Sequence, residues 1–328
     1  MAFINTRKIL GLGIEATQGS GNYSAVPTMT ASHFNFRTYN IVYSPEINMA
    51  KRAYATGDYA KYEEIAGKRL CGVTFDVDLA PVSTASSGAS LGNAPAWGKV
   101  AECCGLSATA SGNSYSLITS KYMTNRTATI QINEWDEGAS AQQFFVKIAG
   151  AMGTMKMIMD EVGYFVRMSF DFKGRLESMS DIAKGSIITP VMSNSTKATG
   201  VLSATISAIS QTLDCEKIEF DLGNTLGILV NPAGATGIKG ANIVDTEPTL
   251  TADPTMKLLA TDAFYTTWTG NTTGAFNMTV GTNLQMNAGA LQLQNAYQPG
   301  DRDGNVVNNL TFGAKRHATN PVFEINQE

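Results

Sequence analysis

Histidine is almost missing: His33 and His317 are the only two, far apart in the chain. That leaves little material for a histidine metal site or a nucleophile–histidine pair. Cysteine is scarce and badly spaced for chemistry. Cys71, Cys103, Cys104 and Cys215 include no C-x-x-C, which removes zinc-ribbon and thioredoxin-like readings. The neighbours Cys103 and Cys104 are poorly placed to bridge each other, so reduced, partly buried thiols are expected, as in a protein made in a reducing cytoplasm. No run of about 18 apolar residues occurs, so no transmembrane helix is expected. The opening stretch, MAFINTRKILGLGIEA, lacks the apolar core and cleavage site of a signal peptide. Charge is sparse as well. Charged residues are 16% of the chain, against a usual share of about 25%, and the net charge is −4. A sequence-reading nucleic-acid binder would carry a basic patch instead.

What is present is alternation. The chain has 328 residues, enough for two domains. In 73–79 (VTFDVDL) every odd position is apolar, and every even one polar. The stretches 127–132, 166–172, 217–222 and 276–280 follow the same rule. Each predicts a strand with one buried and one wet face. Turn residues punctuate them, as at Glu137-Gly138 and Asp303-Gly304-Asn305. An antiparallel, mainly β protein is expected.

Two segments read as helix. Over 94–104, Asn93 can cap, Pro95 suits the first turn and Gly105 the position after the last. Trp97, Val100, Ala101 and Cys104 make one apolar stripe. Over 254–267, Asp253 would cap and Pro254 open the helix, with Met256, Leu259, Ala260 and Ala263 as the stripe. Both are expected to pack on the core.

The elements recur in one order. Phe75 and Phe170 stand in similar strand patterns on either side of the first helix, and Phe220 and Phe312 do so around the second. This predicts a duplication, with units at 1–180 and 185–328. The seam, 181–211, is Ser/Thr/Ala-rich and reads as a linker followed by the first strands of the second unit. Residues 1–180 hold 16 Lys and Arg against 15 Asp and Glu, whereas residues 181–328 hold 8 against 13. Neither half has the one-sign density of a nucleic-acid or membrane patch.

Candidate chemistry is thin. Asp301-Arg302-Asp303-Gly304-Asn305 starts like a calcium loop, but Val306 and Phe312 stand where Gly and Glu are required; a tight turn is expected there. Gly11-Leu12-Gly13 lacks the third glycine of a dinucleotide fingerprint. Glu134, Asp136 and Glu137 form an acidic group that a glycosidase reading would pair, though a hairpin-turn cluster is the commoner case. No catalytic, cofactor-binding or metal-ligating residue is assigned.

Two stretches bear on partners. Residues 45–69 carry three Lys, two Arg, four acidic residues and three tyrosines. A charge-mixed, aromatic-bearing excursion suits a surface that meets another molecule, with a solvated loop as the plain alternative. Residues 263–300 hold no acidic or basic residue. Exposed strands usually carry charge to block edge pairing, so neutral, amide-rich strands suggest packing with copies of the chain, or else simply a polar sheet face.

Several pieces, in order, resemble the major tail tube protein of long-tailed bacteriophages. Glu15-Ala16-Thr17-Gln18-Gly19 with Val26-Pro27-Thr28 is similar to that family's opening. Ile65 to Arg69 leading into Val73-Thr74-Phe75 is similar to its loop-to-strand entry. Ala94-Pro95-Ala96-Trp97 through Cys104-Gly105 resembles its helix, and Ala149 to Gly153 with Phe172-Lys173-Gly174 its closing hairpin. From Phe220-Asp221-Leu222-Gly223-Asn224 through Asp253-Pro254 to Asp303-Gly304, the second half resembles the longer members.

The resemblance implies a mainly β fold of two tandem tail-tube-like β-sandwich or half-barrel units, each with one flanking helix, closing into a ring-shaped β-barrel on oligomerisation. It implies a structural, self-assembling virion protein without catalytic residues or cofactors, made in the host cytoplasm and not membrane-bound. Its partners would be copies of itself, in trimeric pseudo-sixfold or hexameric rings that stack, the tape measure and tail-end proteins, and double-stranded DNA passing without sequence recognition. The excursion at 44–69 would bridge rings, through Lys51, Arg52, Tyr54, Tyr59, Lys61, Tyr62, Glu63, Glu64, Lys68 and Arg69, and would be disordered in a free subunit. A virion decoration or host-binding β-sandwich protein is the alternative, and a glycan-active enzyme a more distant one.

Overall fold

The computed structural model describes residues 3–15, 34–35, 38–51, 63–79, 96–108, 114–119, 126–136, 142–159, 166–183, 202–207, 211–212, 215–258, 263–280, 284–295 and 297–327. The fold is mainly β. The first half holds β1 (Phe3–Ile14), β2 (Phe34–Asn35), β3 (Thr38–Ala50), β4 (Ile65–Asp78), α1 (Ala96–Glu102), β5 (Leu106–Ala108), β6 (Ser114–Leu117), β7 (Ala128–Asp136), β8 (Gln142–Met159) and β9 (Arg167–Ala183). The second begins with β10 (Leu202–Ile206), β11 (Gln211–Thr212), β12 (Cys215–Asp221), β13 (Asn224–Val230), β14 (Ile238–Thr246), β15 (Thr249–Pro254) and α2 (Phe264–Thr269). It ends with β16 (Thr273–Val280), β17 (Leu284–Asn295), β18 (Pro299–Arg302), β19 (Asn305–Asn308), β20 (Leu310–Ala314) and β21 (Glu324–Gln327).

All five alternating stretches are strands, and their apolar positions are buried. Val73, Phe75 and Val77 point inward from β4, as do Met168, Phe170 and Phe172 from β9. Phe75 and Phe170 are register partners and stack with centroids 5.3 Å apart. Each such ring removes enough apolar surface from water to contribute roughly 2–3 kcal/mol. The core continues through Phe220, stacked on Phe323 at 3.8 Å, and Phe312.

Strand pairing takes the same order in both halves. In the first it runs β2–β1–β7–β8–β9–β4–β3. In the second it runs β11–β10–β16–β17–β20–β15–β12. All of these pairs are antiparallel. The halves then join edge to edge, because β12 pairs with the end of β8 through Ile218–Met159 and Asp221–Lys156. A second seam is β21 on β6.

β8 can serve both halves because it bends. Its register with β9 shifts between Ala149 and Met152, and Gly150 has a positive φ of 59°, a conformation that costs glycine little. Before the bend β8 pairs with β7, and after it with β12. A buried carboxylate holds the bend. Glu15, just past β1, accepts from the Gly150 N–H at 2.8 Å, Thr129 Oγ1 at 3.0 Å and Thr127 Oγ1 at 2.5 Å. Over the same spot lies Gly240 of β14, where a Cβ would come within 2.8 Å of the Gly150 carbonyl oxygen.

The helices differ in how well the sequence placed them. The stripe of α1 is buried as expected, with Trp97 against Tyr115 at 5.0 Å, and Gly105 follows with φ of 90°. The second helix is shorter and later than the expected 254–267. Residues 249–254 are strand, with Leu250, Ala252 and Pro254 buried in alternation. Asp253 caps no helix; its Oδ1 accepts from the backbone N–H groups of Glu216 and Lys217 at 3.1 and 2.7 Å. Ladder partners on both sides of β15 outweigh the local Asp-Pro signal. Pro254 sits at the strand's last residue, where pairing with β12 is already irregular, the place a residue without an N–H is tolerated.

Replacing Glu15 with Ala is expected to destabilise the fold by roughly 2–4 kcal/mol, since three buried donors lose a charged acceptor. Urea unfolding measures it, and a loss as small as that from an exposed substitution would show that the bend holds without the carboxylate.

Candidate assembly surfaces

The excursion expected as a loop over 44–69 is a ribbon at its root. Pro45 pairs with Cys71, Ile47 with Arg69 and Ala50 with Ile65. From Ser44 to Ala50 and from Glu63 to Arg69 every residue is exposed, including Ile47, Met49 and Ile65. The disorder expected there does not extend to these paired flanks, whose ladder satisfies the backbone in a single chain. Of the residues proposed for ring contact, Lys51, Glu63, Glu64, Lys68 and Arg69 lie exposed on this ribbon. Arg52, Tyr54, Tyr59, Lys61 and Tyr62 fall outside the described residues.

The β13–β14 hairpin, which the sequence reading did not find, buttresses the ribbon. The Arg69 N–H donates to the Thr236 carbonyl at 3.1 Å. The base of the hairpin is fixed to the first half: the Asn224 Nδ2 donates to the carbonyls of Cys104 at 2.7 Å and Gly153 at 3.0 Å. Ile238, Ala241 and Ile243 are buried, but a register shift between Leu229 and Val230 breaks the alternation that would have marked the strand.

One broad sheet face is polar. A rung runs from Tyr39 through Asp76, Ser169, Lys156 and Asp221 to Thr249. The next runs Asp78, Arg167, Ile158, Glu219 and Thr251. The Tyr39 hydroxyl donates to Asp78 at 3.0 Å, and burial followed by the Asp78 charge raises its pKa well above the ordinary value. At the joint between the halves, Lys156 pairs with Glu219 at 3.2 Å and Asp221 at 3.0 Å. The Asp221 hydrogen bond raises the lysine pKa against the opposing effect of burial. Burial raises the Glu219 pKa, but Lys156 and Lys217 together pull it below the ordinary value.

Of the two readings of the neutral segment 263–300, most of its length fits the plain sheet face rather than packing with copies of the chain. β16 lies between β10 and β17, and β17 between β16 and β20 or β21, so these strands are interior to the chain's own sheet. On the β16 side, pairing of β17 ends at Gln292. Trp268 donates to the Gln294 carbonyl at 3.1 Å, and Tyr297 is exposed.

No catalytic constellation appears among the described residues. Glu134 is buried and ion-paired with Lys8 at 2.9 Å; the side chains of Asp136 and Glu137 fall outside the described residues. Residues 301–305 form the β18–β19 turn, with Asp303 and Gly304 at φ of 53° and 82°, the mirror-image turn that suits a hairpin. All four cysteines are free. Burial pushes the Cys71 thiol up to about 11, and Cys103 and Cys104 well above the usual range, which leaves these three unreactive.

A family model described as phage tail tube protein matches residues 6–314. The chain belongs to the phage tail tube protein family. It is therefore a structural protein of the phage tail, and its place is the virion. A search of curated proteins finds no match.

Lys156→Met should destabilise this tail tube protein by about 1 kcal/mol at neutral pH, the scale of partly exposed ion pairs. Because the Glu219 pKa is lowered in the folded state, its contribution exists above the ordinary carboxylate range and disappears as pH falls through the folded value. The gap between variant and wild type should therefore close on acidification. Thermal unfolding at several pH values tests this, and a gap that persists in acid would rule out the ion pairs as its source.

Proposed function

We propose that the protein is the self-assembling subunit of the tail tube and that the tube conducts DNA from capsid to host cell. The observation that carries the reading is the strand order repeated in both halves and joined edge to edge by β8 and β12. In this reading residues 1–180 and 185–328 are two tube units. Tube rings of this family present six such units, so three chains close one ring with approximate sixfold symmetry. If the second half is instead an outward decoration, six chains are needed.

The polar face spanning β4, β9, β8 and β12 supports a lumen lining. It carries Asp76, Asp78, Asp171, Glu219 and Asp221 beside Arg167, Lys156, Lys173 and Lys217. Mixed charge with a small acidic excess offers phosphate no basic track to adhere to, and reads no sequence. The tape measure protein would occupy the same passage before ejection, and tail-end proteins would cap the stack.

The exposed ribbon carries the stacking of rings. Its cations and anions, Lys51, Glu63, Glu64, Lys68 and Arg69, can meet opposite charges of the next ring. Each rim pair contributes only about 0–1 kcal/mol, but repetition around a ring multiplies the effect, and salt should weaken it.

Electron microscopy of the purified protein is expected to show rings or tubes, and mass measurement of one ring should give three chains. Six chains per ring would show that the second half does not line the lumen. Deleting residues 53–60 should leave a folded, soluble protein that no longer stacks. Normal tubes from that deletion would place the stacking contacts elsewhere.

A further inference from the structure

On the far side of the core from the charged polar face lies a second broad face, and its rungs hold a single charged group. One rung runs from Thr205 through Asn277, Asn287, Glu324 and Ser116 to Ser107, one residue from each of β10, β16, β17, β21, β6 and β5. The next holds Thr279, Gln285, Asn326 and Ser114. Their chain neighbours Phe276, Met278, Tyr115 and Ile325 are buried, so the hydroxyls and amides stand on the outer side of the sheet. Phe323, which precedes Glu324, stacks across the core on Phe220 of β12. The neighbours of Phe220, Glu219 and Asp221, belong to the charged face, so the two faces lie back to back.

Glu324 is the fixed point of the uncharged face. Its Oε1 accepts from Ser114 Oγ at 2.5 Å and Ser116 Oγ at 3.1 Å, and its Oε2 from Asn326 Nδ2 at 3.0 Å. These bonds hold the carboxylate in place and leave acceptor capacity unused. Beside it on the rung, Asn287 Oδ1 has no donor among the described residues. The loop 317–321 walls one end of the face. It lies on Gly289 of β17, where a Cβ would come within 2.8 Å of the Asn320 Cβ and 3.0 Å of the His317 Cβ.

What this face can hold follows from what it lacks. Neither rung has a cation for phosphate or an anionic membrane, and neither has an aromatic or apolar anchor for a protein partner. A row of hydroxyls and amides suits a ligand that is itself a row of hydroxyls. Neighbouring strands stand about 4.8 Å apart, close to the advance per residue of an extended chain of six-membered sugars. A glycan lying along the rung therefore meets a new side chain at each sugar, and a fixed carboxylate accepts from two adjacent hydroxyls at once. We propose that this face binds an extended, uncharged polysaccharide of the host cell surface along the rung from Thr205 to Ser107, with Glu324 near its centre. Its place on the outside of the tube rests on the reading of the charged face as the lumen lining. A single site of this kind is weak, but a tube repeats it in every chain, and multivalency raises the overall affinity.

Retention of unassembled subunits and of tubes on immobilised dextran, mannan, galactan and β-glucan tests the proposal. Both forms should bind at least one of these, with a strength that added salt leaves unchanged. Glu324→Gln should weaken binding roughly tenfold, the scale of a bond to a charged group. Asn277→Lys, at an exposed position, should weaken it as well, and it carries the test if Glu324→Gln does not fold by circular dichroism. Val244→Lys, exposed on β14, should bind as the wild type does. Retention on none of the four polysaccharides, retention abolished by salt, or wild-type binding by Asn277→Lys would overturn the proposal. Subunits that bind while tubes do not would show that assembly covers the face, which overturns the outer site and leaves self-assembly standing. Failure of the purified protein to form rings or tubes would overturn the assembly reading, and the subunit measurement would still decide whether the face binds glycan.

Discussion

The bend in β8 at Gly150 is the constraint on which the rest of the molecule depends. A straight strand of 18 residues would keep one neighbour along its whole edge. Because the backbone turns left-handed at Gly150, the first part of β8 stays with β7 and the last part is freed for β12. The bend is also where three separate pieces converge: the Glu15 carboxylate beyond β1, the turn after α1 through Cys103, and the β13–β14 hairpin through Asn224 and Gly240. Close backbone approach needs residues without side chains there, and hydrogen bonds must replace those the broken ladder gives up. A buried carboxylate meets that need because it accepts several bonds at once.

Much of this fold could be read from alternation, because a strand with one wet face writes its period directly into the sequence. Residues 73–79 and 166–172 are strands for that reason, and the apolar stripe of α1 was equally plain. Local signals failed where long-range pairing overrode them. Asp253-Pro254 reads as a helix start, yet β12 and β20 flank that segment and make it a strand. The pairing order had no local trace at all. It depends on contacts between residues far apart, such as Asp221 with Lys156, and a single sequence carries no record of which strands meet. The spacing of matching strands hinted at two units, but the β8–β12 joint was invisible.

The ribbon was legible in composition rather than in shape. Its mixed charge and tyrosines marked it as a surface, whereas the reading of 45–69 as an excursion did not foretell that its flanks pair as strands with Ile47, Met49 and Ile65 exposed. A ribbon with apolar side chains in water is tolerable when it is short and held at its root, as the Thr236 contact with Arg69 holds this one. The neutral segment left two readings open, packing with copies of the chain or a plain polar sheet face. Most of it lies inside the sheet, where charge is unnecessary because partners already occupy both sides.

The same logic separates the two kinds of joint. Within the chain, β8 and β12 are tethered, so they meet whatever their charge, and Lys156 with Glu219 and Asp221 can fix the register at small net energy. Two separate chains have no tether. Ion pairs at such an edge would lose strength with salt and would tolerate a shifted register, since a lysine reaches several carboxylates. Aromatic and branched side chains on neutral strands instead bind through buried area and shape, which salt weakens little, and a slip of one residue turns them to the wrong face. Charge on the exposed ribbon, by contrast, gives contacts that weaken with salt wherever the ribbon meets a neighbouring ring as proposed.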